Sequence, residues 1–132
     1  MAMDRRRSIV RISSPRVLEP ADGRFSNCLL VDGIAYIAGM TAREGEDVYA
    51  QAKLIFEKIK QLVESAGGTI TDVVKITVYV TDIEQRQGVH RARQEYFSGD
   101  FPTATTVQVV ALADPAYKVE IDAIAHIGPS RR

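Results

Sequence analysis

Apolar residues recur along the chain with two different periods, which separate candidate helices from candidate strands. Between residues 47 and 68 they recur at steps of three and four, which places them on one side of an α-helix. Asp47 can cap the start of this helix, and Gly67-Gly68 can end it. The apolar positions are Val48, Ala52, Ile55, Ile59, Leu62, Val63 and Ala66.

Short apolar or alternating runs predict strands on both sides of this helix. Asp32-Gly33 separates two of them and predicts a type I′ hairpin turn, because both turn positions need positive φ. Pro15 ends the first run. The predicted strands are RRRSIVRIS (5–13), RFSNCLLV (24–31), IAYIAGMTA (34–42), VVKITVYV (73–80), TTVQVVAL (105–112) and YKVEIDAIAHI (117–127).

A second helix is predicted from Asp82 to Phe97. Asp82 followed by Gln85 resembles a capping box, in which the two residues satisfy each other's backbone amides. Gly88 lies inside this segment and weakens the helix by about 1 kcal/mol relative to Ala.

The predicted order is β-ββ-α-β-α-ββ, an α+β fold with two helices on one face of a mixed sheet. We expect one domain over residues 1–132, with its core at about 23–127 and loose ends. In the last strand Val119, Ile121, Ala123 and Ala125 alternate with Glu120, Asp122, Ile124 and His126. The second face of the sheet is therefore half apolar. This favours a face covered by partner subunits rather than one exposed to water.

Composition narrows the possible functions. Lys plus Arg and Asp plus Glu both number 17, so no basic excess supports nucleic-acid binding. The single cysteine, Cys28, rules out an internal disulfide framework and favours a reducing, cytoplasmic compartment and a place in the core. No run of residues predicts a membrane span or a secretion signal. The two histidines, His90 and His126, lack metal-ligand spacing, so no metal site is predicted.

Three segments resemble the RidA family, also called YjgF/YER057c/UK114. GRFSNCLLVDGIAYIAGMTA resembles its GPYSQAV…VYISGQ pattern, and DVYAQAKLIFEKIKQLVESAGGTITDVVKITVYVTDI follows. YFSGDFPTATTVQVVALADPAYKVEIDAIA resembles FFxxxxPARSxVEVxxLPxxxxVEIEAIA. The resemblance runs from about Gly23 to Ala125.

This resemblance implies a chorismate-mutase-like fold and a homotrimer with clefts between subunits. It also implies hydrolysis of small reactive enamines or imines with release of ammonia, without a metal or an organic cofactor. Glu120 matches the first Glu of EIEAIA and is implied to handle water and protons. Gly39 matches the glycine of ISGQ, where an anion can approach a backbone amide.

Several positions depart from the family pattern. Ala104 stands where an Arg clamps the substrate carboxylate, and Phe25 stands where a Tyr is expected. His90 replaces an Asn of the second helix, and Ala38 and Met40 replace the Ser and Gln of ISGQ. The substrate is thus expected to differ from a plain 2-imino acid, for example a longer, unsaturated, aminomuconate-like compound that packs against Phe25.

Other cations can replace the missing Arg. Arg24 lies next to Phe25, and His90 shares a helix face with Arg86 and Arg93; Arg43 follows the third strand and is the weaker candidate. The hydroxyls of Thr105 and Thr106 are further candidates for binding the substrate. Two alternatives stay open: Glu120 can form a structural ion pair at a subunit contact, and the whole protein can be a non-catalytic trimer that binds small ligands.

Overall fold

The computed structural model describes residues 8–128, which form one six-stranded mixed sheet and two α-helices. The strands lie in the order β1-β2-β3-β6-β4-β5, and every neighbouring pair is antiparallel except β4 and β5. The elements are β1 (Ile9–Ile12), β2 (Cys28–Val31), β3 (Ile34–Met40), α1 (Val48–Ser65), β4 (Val73–Val80), α2 (Arg86–Tyr96), β5 (Thr103–Gln108) and β6 (Val119–His126).

The predicted order of elements is confirmed, and so are three of the local signals. Asp32 and Gly33 have φ values of 50° and 81°, as a type I′ turn between β2 and β3 requires. The carboxylate of Asp47 accepts from the amide of Ala50 at 2.8 Å, and Gly67 follows α1 with a φ of 99°. Residues 5–7 of the first predicted strand lie outside the described residues, as does the tail 129–132.

The second helix is shorter than predicted. A 3-10 turn, Ile83–Gln85, comes first, and α2 begins only at Arg86. The capping box is wrong, because the amide of Gln85 donates to the backbone carbonyl of Asp82 at 3.0 Å. The Asp82 side chain instead accepts from the amide of Glu84 at 3.0 Å, and the extended backbone of Phe97 ends the helix.

The last two strands are not neighbours in the sheet. β6 inserts between β3 and β4, whereas β5 runs parallel to β4 along the outer edge. β5 spans Thr103–Gln108, so it begins and ends earlier than the predicted strand at 105–112. Val107 faces the same side of the sheet as Glu120, opposite to Ile121 and Ala123.

Both helices form a layer on one face of the sheet. α1 lies over β3 and β6, and α2 packs against α1. The helices meet closely at Gly88, where a Cβ atom would lie 2.9 Å from the backbone nitrogen of Tyr49. No helix within residues 8–128 is long and apolar enough to cross a membrane. The largest fully buried side chains include Phe56, Ile55, Ile59, Leu62, Ile76 and Ile121.

The other face of the sheet has no cover within the described chain. Tyr36 on β3 is 47% exposed and Val107 on β5 is 40% exposed. Between them lie the half-buried side chains of Glu120, Asp122 and Tyr79. We call this surface the open face. It carries the polar residues of the central strands and determines where a site can form.

Candidate functional site

Glu120 and Gly39 meet where β3 and β6 fall out of register. The pairing shifts between Ile37 and Met40, and Gly39 lies inside this irregularity. A Cβ atom on Gly39 would lie 2.7 Å from Cδ of Glu120 and closer still to Oε2. The carboxylate therefore occupies the space over the glycine, and no other residue type leaves that space free.

The surroundings of Glu120 favour its protonated form. Burial is the main cause that raises the pKa of this carboxyl, and the negative charge of Asp122 raises it further. No Lys or Arg within residues 8–128 forms an ion pair with Glu120. Within the described part of the chain Glu120 therefore has no ion-pair partner, and an ion pair at a subunit contact stays a prediction.

Tyr79 stands directly across from Glu120 on β4. Its phenol donates a hydrogen bond to Oδ2 of Asp122 at 3.1 Å. Burial raises the pKa of Tyr79, and the hydrogen bond and charge of Asp122 add to this, so the phenol stays protonated at neutral pH. Tyr79, Asp122 and Glu120 thus form a polar cluster at the centre of the open face.

A groove of about 400 Å³ opens beside Gly39. One wall is the segment 17–21 with Phe25, and the other is formed by residues 39–44 with Tyr117 and Lys58. Gly39 also lines a second hollow on the open face, next to Asp122. The glycine that supports Glu120 therefore belongs to both concave surfaces.

Buried Asn27 joins the first wall to the sheet. Its side-chain amide donates to the backbone carbonyl of Leu18 at 3.0 Å, and its backbone carbonyl accepts from the backbone amide of Ala38 at 2.9 Å. Phe25 lies two residues earlier and is 54% exposed at the groove. Because Asn27 holds both segments, it determines the position of the ring of Phe25 relative to Gly39.

Fully buried Gln51 of α1 holds the second wall. Its amide group donates to the carbonyls of Gly45 at 3.0 Å and Ala116 at 2.9 Å, and its oxygen accepts from the amide of Lys118 at 2.9 Å. These bonds place Tyr117 against the groove. Arg43 lies 5.8 Å from the centre of the Tyr117 ring.

The structure brings together only part of the predicted site. Phe25 and Gly39 line the groove, and Glu120 contacts Gly39. Arg24 does not line it and forms an exposed ion pair with Asp22. Arg43, the weaker of the candidate cations, does line the groove.

The remaining predicted residues lie elsewhere in the chain. His90 is exposed on α2 and lines neither hollow. Thr105 shares the open face with Glu120 but lies two strands away from it. Ala104 and Thr106 point to the opposite face of the same edge strand. A single chain therefore does not join these four residues to Glu120.

Cys28 takes no part in this site. It is fully buried, and burial raises the pKa of its thiol to about 11. The prediction of a core residue is confirmed. Within residues 8–128 no group of three His, Cys, Asp or Glu side chains could hold a metal ion.

Three residues near the site were not predicted from the sequence: Asn27, Tyr79 and Lys58. The alternation of β4 places Tyr79 on the same face as Thr77. Once β6 is known to be the neighbour of β4, this pattern places Tyr79 beside Glu120. Asn27 and Lys58 act through contacts with loops, and no local pattern indicates such contacts.

Comparisons with known proteins identify the class. A protein of unknown function from Pseudomonas aeruginosa has a similar structure. That structure has a TM-score of 0.86 and 37% identity, over 90% of this chain and 92% of the other. RidA from the Antarctic bacterium Psychrobacter matches with a TM-score of 0.81 and 31% identity, over 89% and 99% of the two chains.

The family follows from two further matches. A member of the YjgF/YER057c/UK114 family from Mycobacterium tuberculosis matches with a TM-score of 0.82 and 30% identity, over 91% of this chain and all of the other. A family model described as Endoribonuclease L-PSP matches residues 17–127. The chain belongs to this Endoribonuclease L-PSP family, the YjgF/RidA family, and the resemblance seen in the sequence is confirmed.

Proposed function

We propose that this protein hydrolyses a small enamine or imine and releases ammonia, with Glu120 as the catalytic acid and base. The observation that carries the proposal is the position of the Glu120 carboxylate over Gly39, beside a groove and with a raised pKa. A carboxyl group whose pKa is raised toward neutrality is suited to both donating and accepting a proton. The family resemblance supports the same chemistry.

The reaction proceeds in four proton transfers, which return Glu120 to its protonated form. Protonated Glu120 gives its proton to the enamine carbon, which converts the C=C–N group into an iminium ion. The carboxylate then accepts a proton from water as the water oxygen bonds to the iminium carbon. That proton passes to nitrogen, the C–N bond breaks and ammonia leaves. The remaining hydroxyl proton moves to the Glu120 carboxylate as the carbonyl group forms. Backbone amides near Gly39 stabilise the charge that develops.

We further propose that the open face packs against other copies of the chain in a homotrimer. Tyr36 and Val107 are large apolar side chains left exposed on this face. Thr105, Ala104 and His90 lie apart from Glu120 in one chain, so a cleft between subunits is the arrangement that would unite them with it. In that cleft Thr105 offers a hydroxyl, and Phe25 offers an aromatic wall.

The substrate we propose is a longer, unsaturated acid of the aminomuconate type rather than a plain 2-imino acid. Phe25 and Met40 give the groove apolar surface at Gly39, which suits an extended carbon chain. Ala104 offers no charge to a short substrate. The expected setting is the cytoplasm, and no cofactor or nucleic acid enters the proposal.

A non-catalytic trimer that binds small ligands is the second candidate. The observation that favours it is the absence of an ionisable group at Phe25 and Ala104, where the resemblance expects a phenol and a guanidinium. The two candidates differ in what Glu120 does. Only the enzyme loses turnover when this carboxyl is replaced.

The test generates enamines and imines in situ with a pyridoxal-phosphate enzyme and measures ammonia and keto-acid release, with semicarbazide trapping the remaining imine. Wild type should accelerate the hydrolysis of at least one substrate, and Glu120→Gln should lower the rate by about 10²- to 10⁴-fold. Glu64→Gln, a change at an exposed position of α1, is the matched control and should keep full activity. Equal rates for wild type and Glu120→Gln on every substrate would favour the binding protein.

A further inference from the structure

Lys58 brings a positive charge to the groove beside Gly39 from a helix that carries none of the predicted site residues. It lies in the middle of α1 and is half-buried. Its ammonium group donates to the backbone carbonyl of Thr41 at 2.6 Å, on the second wall of the groove. An ammonium has three donors, so this bond leaves two available for a ligand.

The charge of Lys58 is not neutralised by the residues around it. No carboxylate within residues 8–128 forms an ion pair with this ammonium. Of the two acidic residues that line the groove, Glu19 pairs with Arg11 at 2.6 Å, and Glu44 is exposed at the surface. A partly desolvated ammonium bonded only to a neutral carbonyl favours an anionic ligand.

Arg43, the other cation at the groove, is already engaged. Its guanidinium forms an ion pair with Asp114 and lies over the ring of Tyr117. It is also 61% exposed, so water screens its charge. Lys58 is therefore the cation that a ligand inside the groove would meet.

The other surfaces of the groove define the rest of the ligand. Phe25, Met40 and Tyr117 give it aromatic and apolar contacts, and its volume of about 400 Å³ suits a small metabolite. Gly39, which supports the Glu120 carboxylate, lies on the same wall as Thr41. Gly39 therefore links the groove that contains Lys58 to the Glu120 carboxylate on the open face.

We propose that Lys58 binds the carboxylate of a small unsaturated or aromatic acid in this groove and supplies the charge that Ala104 cannot. The inference deepens the proposed function, because it assigns the recognition of the substrate acid to α1 of the same chain. It does not depend on turnover, so binding can be tested alone.

Benzoate serves as the probe, and benzamide, of the same shape without the charge, as the matched ligand control. Titration followed by backbone amide NMR should show benzoate shifting the signals of Gly39, Met40 and Thr41, with much smaller shifts from benzamide. Lys58→Met should weaken benzoate binding by at least about tenfold, since a hydrogen bond to a charged group is lost. Lys58→Arg, which keeps the charge, should restore most of the affinity.

Lys60→Met is the control variant, because it removes a charge from the same helix at a residue that does not line the groove. It should bind benzoate as wild type does, and thermal unfolding should show that all three variants are folded. The inference is overturned if benzoate does not shift the signals of residues 39–41, or if wild type and Lys58→Met bind benzoate with equal affinity. If benzoate binds through Lys58 but the protein has no deaminase activity, the proposed function is rejected and the binding site at Lys58 is retained.

Discussion

The carboxylate of Glu120 fills the space that a side chain on Gly39 would need. A Cβ atom there would lie 2.7 Å from Cδ and 3.0 Å from Cγ of Glu120. The glycine on β3 thus fixes the position of a carboxylate on β6. Gly39 and Glu120 are far apart in the sequence, but the position of one depends on the other. Replacing Gly39 should therefore test the role of the Glu120 carboxylate.

Gly39→Ala should displace the Glu120 carboxylate and remove most of the activity. Only the end of a flexible side chain has to move, so we expect the free energy of unfolding to fall by about 1 kcal/mol. A catalytic group misplaced by about 1 Å can cost roughly a hundredfold in rate. Ammonia release and urea unfolding of the same preparation measure both effects.

The double variant Gly39→Ala/Glu120→Ala is the control for this explanation. With the carboxylate gone the new methyl group has room, so Gly39→Ala should cost little stability in that background. An equal stability loss with and without Glu120 would place the strain elsewhere in the β3–β6 irregularity.

Glu120→Gln should stabilise the protein at neutral pH. The pKa of Glu120 is raised in the folded state, so folding favours its protonated form. Wild type therefore loses stability as the pH rises from below the ordinary carboxyl pKa, near 4.5, through the raised folded value. The Gln variant has no such loss. Because the group is partly exposed, the gain should stay within about 1 kcal/mol.

Urea unfolding of both proteins from pH 4 to pH 8 checks this sign. The stability difference between Glu120→Gln and wild type should be smallest at pH 4 and should reach a plateau above the folded pKa. A difference that grows toward low pH instead would mean that a cation stabilises the Glu120 carboxylate.

The sequence predicted the order of the elements because its local signals agree with the fold. The alternation of β6, the capping by Asp47 and the turn at Asp32-Gly33 all act within a few residues. The pairing of β6 with both β3 and β4 is not local, and the sequence could not supply it. For that reason the sequence alone does not show that β4 separates β5 from β6, or that Val107 and Ile121 face opposite sides of the sheet.

The candidate site could be predicted only where the family resemblance marks a residue. It indicated Gly39 and Phe25, which line one groove, and Glu120, whose carboxylate lies against Gly39. Lys58 and Asn27 reach the groove through bonds to the carbonyls of Thr41 and Leu18. Such bonds depend on loop positions that no residue spacing specifies.

Gly88→Ala should destabilise the protein, although Ala is the better helix former by about 1 kcal/mol. The new methyl group would lie 2.9 Å from the backbone nitrogen of Tyr49 and 3.3 Å from its Cα. Backbone atoms cannot rotate away, so the two helices must separate, at a cost of typically 1–3 kcal/mol. We expect a net loss of about 1 kcal/mol in urea unfolding.

Gln87→Ala, at the exposed neighbouring position, is the control and should change stability by less than about 0.5 kcal/mol. A Gly88→Ala variant more stable than wild type would show that helix propensity outweighs the close contact between α1 and α2.

Light scattering at micromolar concentration should give the mass of a homotrimer. Tyr36→Glu would place a charge on the open face and should dissociate the trimer, because burying an unpaired carboxylate is costly. Leu54→Glu is the matched control, since Leu54 is 40% exposed on α1, in the helix layer. A wild-type monomer, or trimers that persist in both variants, would show that the open face is not the subunit contact.

Wild type should be a poor deaminase of 2-iminobutyrate, because Ala104 cannot clamp a short carboxylate. Losing a charged donor typically costs several kcal/mol, or more than about a hundredfold in affinity. Ala104→Arg should raise kcat/KM for this substrate, since a guanidinium binds a carboxylate through two hydrogen bonds. Gln87→Arg adds the same charge at an exposed position of α2 that lines neither hollow, and it should leave the rate unchanged. A wild-type rate equal to that of an Arg-containing relative would mean that another cation already holds the short substrate. A loss of that rate in Lys58→Met would then identify Lys58 as that cation.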